Sequence, residues 1–183
     1  MKHSRILILT QCALFAALLC VLSPIAVPIG PVPVTLGLFA VMLCGVVLGS
    51  LRGTVSVAVY LLIGVLGLPV FSGAMGGASR LVGPTGGYLW GYLLCTFLIG
   101  LRRYLPAKRL FSEMAIAFFF CLFALAAVYL CGTVQYSLYA GISFSEALKI
   151  AVFPFVLIDL AKCLAAAVLG VLLCRTLRKA ELL

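Results

Sequence analysis

The sequence predicts an all-α integral membrane protein: six transmembrane helices in one bundle, with both termini in the cytoplasm. Hydrophobic residues make up 66% of the 183 residues and charged residues 9%, whereas soluble domains have roughly 45–50% and 25%. Proline, glycine and charged residues divide the chain into six continuous apolar runs. Six spans of about 20 residues plus short loops use the whole length, so residues 1–183 are predicted to form a single membrane domain.

The first three apolar runs lie in the N-terminal half. They cover residues 6–24, 34–51 and 53–69, and each ends at a proline or before an arginine. The first run follows Lys2 and Arg5, which also fits a secretory signal peptide. It is long for the apolar region of a signal, and the rest of the chain is equally apolar, so we interpret it as the first span.

The last three runs cover residues 84–101, 113–136 and 149–174. The fourth begins at Pro84, and the fourth and sixth both end before arginines. All six runs are continuous rather than alternating. Because lipid admits only structures that satisfy every backbone polar group internally, continuous runs favour helices over a β-barrel.

Basic residues indicate the orientation of the six spans. Only Arg80 and Lys149 lie on one side, and ten lie on the other, with the termini: Lys2, Arg5, Arg52, Arg102, Arg103, Lys108, Arg109, Arg175, Arg178 and Lys179. By the positive-inside rule, both termini are cytoplasmic. The net charge of +9 is therefore mostly topological, and we expect contacts with membrane lipids or a cytoplasmic partner, but no nucleic-acid binding.

Two long loops on the outer side are unusually apolar. Residues 23–35 contain four prolines, and residues 69–83 are rich in glycine. Irregular backbone near membrane depth is tolerated where protein buries it or where it lines a cavity. We therefore expect these loops to form lids or walls over a pocket; the alternative is that they lie in the lipid interface.

The second of these loops leads into GPTGGYLWG, residues 83–91. Pro84 suits the first turn of a helix, and Gly86 and Gly87 allow close approach of backbone or ligand. The free N–H groups of such a helix start suit a carboxylate, and Arg80 could add a point charge. The alternative is that the glycines only pack helices together.

Asp159 and Lys162 are the candidate binding residues in the last run. In a helix they lie about 60° apart on one face, and inside a bilayer each costs about 2.5 to 3.5 kcal/mol. Such residues mark functional sites by default, and together they suit a small, partly apolar molecule with an amide-like head. Pro154 is expected to kink the helix before them. The alternative is an ion pair that only fixes helix packing.

The sequence lacks residues and motifs that many enzymes need. His3 is the only histidine, which leaves no residues for a Ser–His protease or a histidine metal site. The eight cysteines include no C-x-x-C motif and are expected to pack within spans, and no P-loop is present. We expect neither a catalytic site, a metal site nor a cofactor; an intramembrane enzyme is the least favoured hypothesis.

Three segments together resemble the BioY family, the biotin-specific substrate-binding (S) components of energy-coupling factor (ECF) transporters. They are PVPVT (31–35), GLPVFSGAMGGASRLVGPTGGYLWGY (67–92) and PFVLIDLAK (154–162). The resemblance covers nearly the whole chain in order. It implies an outward pocket that binds biotin beneath two loops of a six-helix protein. These are the first loop, which follows the first helix (23–35), and the third loop, which follows the third helix (69–83).

The resemblance also implies roles for individual residues. Asp159 and Lys162 would contact the ureido ring of biotin, while the third loop and the start of the fourth helix close around it. The further residues expected in the binding site are Thr35, Gly77, Ser79, Arg80, Thr85, Gly86, Gly87 and Tyr88. We assign the carboxylate of biotin to Arg80 or to the backbone of residues 85–87.

The implied partners are a transmembrane coupling subunit and two ATPase subunits in the cytoplasmic membrane. Ala13 and Ala17 have the small-residue spacing expected for contact with the coupling subunit. Without that module, a homo-oligomer is an open alternative. The remaining functional alternatives are an S component for a different vitamin and a structural membrane protein with a packing ion pair.

Overall fold

The computed structural model describes residues 2–27, 32–105 and 109–180, with side chains from residue 5 onward. The helices are α1 (Lys2–Leu22), α2 (Gly37–Leu48), α3 (Ser50–Val65), α4 (Ser79–Val82), α5 (Gly86–Gly100), α6 (Leu110–Ala140), α7 (Phe144–Ala151) and α8 (Val156–Lys179). Two short strands, β1 (Ala26–Val27) and β2 (Val34–Thr35), pair antiparallel, and short 3-10 turns follow α5 and α7. Lys108, which was counted for the orientation, and residues 28–31 of the first loop lie outside the described residues.

Each of the six predicted runs corresponds to one helix, α1, α2, α3, α5, α6 or α8, but the boundaries differ. Among the described residues, three stretches are long and apolar enough to cross a membrane: Arg5–Leu22, Leu110–Ala140 and Phe144–Lys179. Helices α2 and α3 are apolar but shorter, and only Gly49 lies between them. The sixth run, predicted to be one span over 149–174, is instead interrupted and continues to Lys179.

Helix α2 lies at the centre of the bundle, between α3, α5 and α8. Ten of its twelve residues are buried. A helix that is apolar on all sides must be surrounded by other elements, and α2 has that composition. Its burial explains why 12 residues suffice here, since protein rather than lipid surrounds most of the helix.

Small residues let the helices approach closely. A side chain at Gly100 would collide with the backbone of Ser50, and one at Gly170 would collide with Val46 of α2. Helix interfaces in membranes are enriched in such residues, because helices there associate through close packing. The glycines therefore bring α5 and α8 against the α2–α3 pair.

The outer faces of the long helices are strongly apolar. Leu9 of α1, Phe119 and Phe123 of α6 and Leu157 of α8 are between 64% and 81% exposed. Exposed apolar surface on this scale indicates contact with lipid rather than water. The protein is embedded in a membrane.

Helices α7 and α8 are separated by a break at Pro154. Helix α7 begins with a capping box in which Ser143 and Glu146 satisfy each other's backbone N–H groups. Val152 leaves helical geometry, and Pro154 lies in the 3-10 turn Phe153–Phe155. Proline lacks an N–H donor and disrupts a continuing helix, which explains a break at this point. Asp159 consequently lies in the first turn of α8 rather than in the middle of a span.

Candidate functional site

The candidate site is a cavity of about 460 Å³ at one end of the bundle. Its walls come from the first loop, the third loop, α5, α6 and the α7–α8 break. Small-molecule sites typically have volumes of about 300–1,000 Å³ and apolar walls with a few polar groups. This cavity has that size and composition.

Asp159, Lys162 and Tyr129 form the polar cluster of the cavity. Lys162 Nζ donates to Asp159 Oδ1 at 2.7 Å, and the Tyr129 hydroxyl donates to Asp159 Oδ2 at 2.7 Å. The side chains of Lys162 and Asp159 are only 10% and 7% exposed. The first turn of α8 also favours a carboxylate, because the positive end of the helix dipole lies there.

This cluster keeps spare hydrogen-bonding capacity. A carboxylate offers about four acceptor positions and an ammonium three donors. The contacts in the cluster use two of the former and one of the latter. A ligand with an N–H donor and a carbonyl acceptor side by side can therefore bind both residues without breaking their ion pair.

The same geometry argues against a purely structural role. Asp159 and Lys162 belong to one helix, three residues apart, so their ion pair joins no two helices. The link between α6 and α8 is the Tyr129 hydrogen bond. Burying two charges to fix packing costs more than apolar residues would. A ligand role for the pair stays a prediction.

Aromatic side chains form the apolar walls. Phe71, Tyr92 and Phe155 line the cavity and are at most 7% exposed. The Tyr88 hydroxyl donates to the Ala151 carbonyl at 2.9 Å, which ties α5 to the end of α7. Phe71 packs edge-to-face on Tyr60, with 5.7 Å between ring centroids. The walls are thus fixed by contacts between neighbouring elements.

The two apolar loops lie over this cavity as walls. The β1–β2 pair holds the first loop, and Thr35 and Val34 line the cavity. In the third loop, Phe71 and Met75 exchange backbone hydrogen bonds around a tight turn. Gly73 N–H donates to the Pro24 carbonyl at 3.3 Å, which joins the two loops.

The structure brings six of the ten predicted binding residues together in the cavity lining. They are Thr35, Arg80, Thr85, Tyr88, Asp159 and Lys162. The Arg80 guanidinium contacts the Met75 sulfur in the third loop. Ligand binding by these six residues stays a prediction.

The other four predicted residues do not line the cavity. Gly77 has φ +102° in a turn, where its N–H donates to the Gly64 carbonyl at 2.7 Å, and Ser79 begins α4. A side chain at Gly86 would meet the Leu81 carbonyl, and one at Gly87 would meet the Cys131 carbonyl. These two glycines therefore serve close packing of α5 against its neighbours, the alternative considered for this motif.

Sequence reasoning missed Tyr129, Tyr92 and Gln135. Gln135 Nε2 donates to the carbonyls of Leu81 and Gly83 at 2.9 and 2.8 Å, which holds α4 and the end of the third loop against α6. A signal was available for Tyr129. Together with Thr133 and Tyr136 it follows a spacing of four and then three residues, which places three hydroxyls on one face of an otherwise apolar helix.

The residues predicted to contact a coupling subunit lie on the outer face of α1. Ala13 and Ala17 are both exposed, one turn apart, beside the exposed side chain of Leu14. No other element of the described structure covers them. The face is therefore accessible to another membrane protein.

Comparisons with known proteins agree with this architecture. The family model of the BioY family matches residues 1–179. The chain is 40% identical over 165 residues to the biotin transporter BioY of Thermotoga maritima, covering 88% of this chain and 92% of that protein. It is 34% identical over 177 residues to the biotin transporter BioY2 of Lactococcus lactis subsp. cremoris, covering 97% and 95% of the two chains.

A solved structure also matches almost the whole chain. It is the crystal structure at 2.1 Å of the S-component for biotin from an ECF-type ABC transporter. The two chains are 33% identical, and the match covers 98% of this chain and 94% of the other with a TM-score of 0.82. The family model matches more than nine-tenths of the sequence, and the alignments cover nearly the full length of both relatives. The chain therefore belongs to the BioY family.

Proposed function

We propose that the protein binds biotin and takes it up across the cytoplasmic membrane, as the S component of an ATP-driven ECF transporter. The observation that carries the proposal is the Asp159–Lys162–Tyr129 cluster in an apolar cavity of about 460 Å³. The biotin transporters and the biotin S-component to which the chain is similar support the choice of ligand. ATP hydrolysis belongs to partner subunits in this proposal.

The chemistry of biotin fits the groups in the cavity. The ureido ring carries N–H donors for the Asp159 carboxylate and a carbonyl acceptor for the Lys162 ammonium. The bicyclic ring and the aliphatic chain are apolar and suit the walls formed by Tyr88, Tyr92 and Phe155.

The carboxylate of biotin is assigned to Arg80. The alternative was the backbone of residues 85–87, but Gly86 N–H already donates to the Gly83 carbonyl at 3.1 Å. Arg80 lines the cavity, and a guanidinium offers five donors of which the Met75 contact uses only one. Arg80 is therefore the better-placed group.

We further propose that helices α1, α2, α3, α5, α6 and α8 form one membrane domain, with the biotin cavity facing outward and both termini in the cytoplasm. Helix α2 spans only about 18 Å by its rise, which is less than the roughly 30 Å of the hydrocarbon core. Its nearly complete burial supports a place inside the bundle, where neighbouring helices face the lipid. The distribution of basic residues supports the orientation.

The partners in this proposal are a transmembrane coupling subunit and two ATPase subunits. The exposed face around Ala13 and Ala17 supports contact with the coupling subunit, because small residues allow close approach of another helix. Outside such a complex, association of several copies is the alternative use of this face.

Native mass spectrometry of the purified protein tests the ligand and the site. We expect the wild-type protein to retain biotin, and Asp159→Asn and Lys162→Ala to lose it, because each removes one charge from the cluster. Hydrogen bonds to charged groups contribute about 1.5 to 3 kcal/mol, so each variant should lose roughly ten- to hundredfold in biotin affinity or more.

The matched control is Lys149→Ala. Lys149 is exposed on α7 and does not line the cavity, so this variant should retain biotin like the wild-type protein. Undiminished biotin binding in both cluster variants would overturn the site assignment. A panel of other vitamins in the same assay decides between biotin and a different substrate.

A further inference from the structure

A second cavity, of about 230 Å³, lies where the end of α5 meets α6 and the last turns of α8. Three arginines line it, Arg102, Arg103 and Arg178, together with the carboxylate of Glu113. Arg178 follows Asp159 by 19 residues on α8, which places it about 28 Å further along the helix axis. This cavity therefore belongs to the opposite end of the bundle from the biotin cavity.

The cavity carries an excess of positive charge. The Glu113 carboxylate accepts a hydrogen bond from Arg175 Nε at 3.1 Å, and Arg175 is not part of the lining. No second carboxylate of the described residues lines the cavity. Three guanidinium groups thus face one small space while the only lining carboxylate is already paired, an arrangement that favours an anion.

Arg102 is the buried member of the group. It is 8% exposed, and its Nη2 donates to the Val46 carbonyl at 2.7 Å. Its Nε is buried without a hydrogen-bond partner among the described residues. A charged donor left unsatisfied in this way is costly, so it calls for an acceptor in the cavity.

Arg103 is held in the same way. Its Nη2 donates to the Val47 carbonyl at 2.5 Å, next to the carbonyl that Arg102 contacts at the end of α2. Each guanidinium presents five donors in a planar fork, and the carbonyl contacts occupy only part of each fork. The remaining donors are preorganised for a group with several acceptor oxygens, and forks of this kind match phosphate.

The residues around the cavity indicate which kind of molecule carries the phosphate group. Tyr104 and Phe111, which flank the cavity in sequence, are 79% and 83% exposed, and Leu105 of the lining is 48% exposed. Exposed aromatic residues beside basic ones are typical of the interface between membrane and water. We propose that this cavity is a phosphate-binding site that takes the headgroup of an anionic phospholipid.

Lipid retention in native mass spectrometry tests the proposal on the full-length protein in a neutral detergent. The probes are phosphatidylglycerol and phosphatidylcholine with identical acyl chains. We expect the wild-type protein to retain phosphatidylglycerol in preference, and Arg103→Gln and Arg178→Gln each to lower the bound fraction at least fivefold. Arg178 is solvent-exposed, so Arg178→Gln should keep the wild-type melting temperature. Arg103→Gln also loses the bond to the Val47 carbonyl, so Arg178→Gln is the variant that separates lipid binding from stability.

The matched control is Lys179→Gln, which removes one positive charge at the residue after Arg178 but outside the lining. It should retain phosphatidylglycerol like the wild-type protein. Inorganic phosphate without lipid is a separate arm of the experiment. If inorganic phosphate raises the melting temperature of the wild-type protein but not of the arginine variants, the site also takes free phosphate. If phosphate has no effect and phosphatidylglycerol is retained in preference, the site takes the lipid headgroup alone.

Two outcomes overturn the proposal. One is that the wild-type protein shows no preference for phosphatidylglycerol, whether or not it responds to phosphate. The other is that Lys179→Gln loses as much binding as the arginine variants, because the effect would then reflect overall charge and not this cavity.

Discussion

At the scale of single residues, two hydrogen bonds fix the orientation of the Asp159 carboxylate. Asp159 has one oxygen on Lys162 of its own helix and the other on Tyr129 of a neighbouring helix, both at 2.7 Å. The first contact moves with α8, whereas the second fixes α8 relative to α6. In the proposed site, Tyr129 therefore holds the Asp159 carboxylate in one orientation.

Tyr129→Phe isolates this effect, since it removes the hydroxyl and keeps the ring. Hydrogen bonds to charged groups contribute about 1.5 to 3 kcal/mol, so we expect biotin affinity to fall about ten- to hundredfold. Isothermal titration calorimetry measures the change. Tyr139→Phe is the control, because Tyr139 is 63% exposed and lies outside the cavity lining. Equal affinities for the two variants would show that Tyr129 does not position Asp159.

At the scale of elements, one side chain of α6 holds the end of the third loop. Gln135 Nε2 donates to the carbonyls of Leu81 and Gly83, one on α4 and one just after it. Arg80 lies in the same short helix, so these bonds also position the group assigned to the carboxylate of biotin. The start of the loop is held separately, by Phe71 in the packed core.

Gln135→Glu replaces this donor with a carboxylate opposite two carbonyl oxygens. We expect faster hydrogen–deuterium exchange in residues 77–83 and weaker biotin binding, because both loop bonds are lost and the new charge repels the carbonyls. Exchange in α1 serves as the control within the same molecule. Unchanged exchange in residues 77–83 would show that other contacts hold the loop.

The long helices were predictable because continuous apolar runs leave few other structures in lipid. The break between α7 and α8 and the roles of two glycines were not predictable. Pro154 signals a kink, but its sequence position does not say that a helix ends at Ala151 and another begins at Val156. Gly86 and Gly87 give the same sequence signal whether a ligand or another helix approaches, and here the neighbour is protein.

The candidate site was partly predictable for a related reason. Charges in an apolar run stand out, so Asp159 and Lys162 were found directly. The tyrosines were harder, because an aromatic residue in a membrane helix also suits the lipid interface. The spacing of hydroxyl groups on α6 was a signal for Tyr129, whereas only the helix packing selects Tyr92 for the cavity.

At the scale of the whole molecule, the two cavities lie at opposite ends of the helix bundle. The biotin cavity lies at the α7–α8 break, and the arginine cavity lies near the end of α8, about 28 Å further along that helix. This separation is close to the roughly 30 Å of a hydrocarbon core. The two cavities would therefore open on opposite membrane faces, which matches a binding site outside and a basic surface inside.

Cysteine labelling in intact cells tests this orientation. Ser145, in the first turn of α7, lies at the end of the bundle with the biotin cavity, and Lys179 ends α8 at the other; both are exposed. We expect a membrane-impermeant maleimide to label Ser145→Cys in intact cells but Lys179→Cys only after permeabilisation. The wild-type chain, with its eight native cysteines, sets the background. Labelling of Lys179→Cys in intact cells would reverse the orientation and move the biotin cavity to the cytoplasmic side, where it could not capture external vitamin.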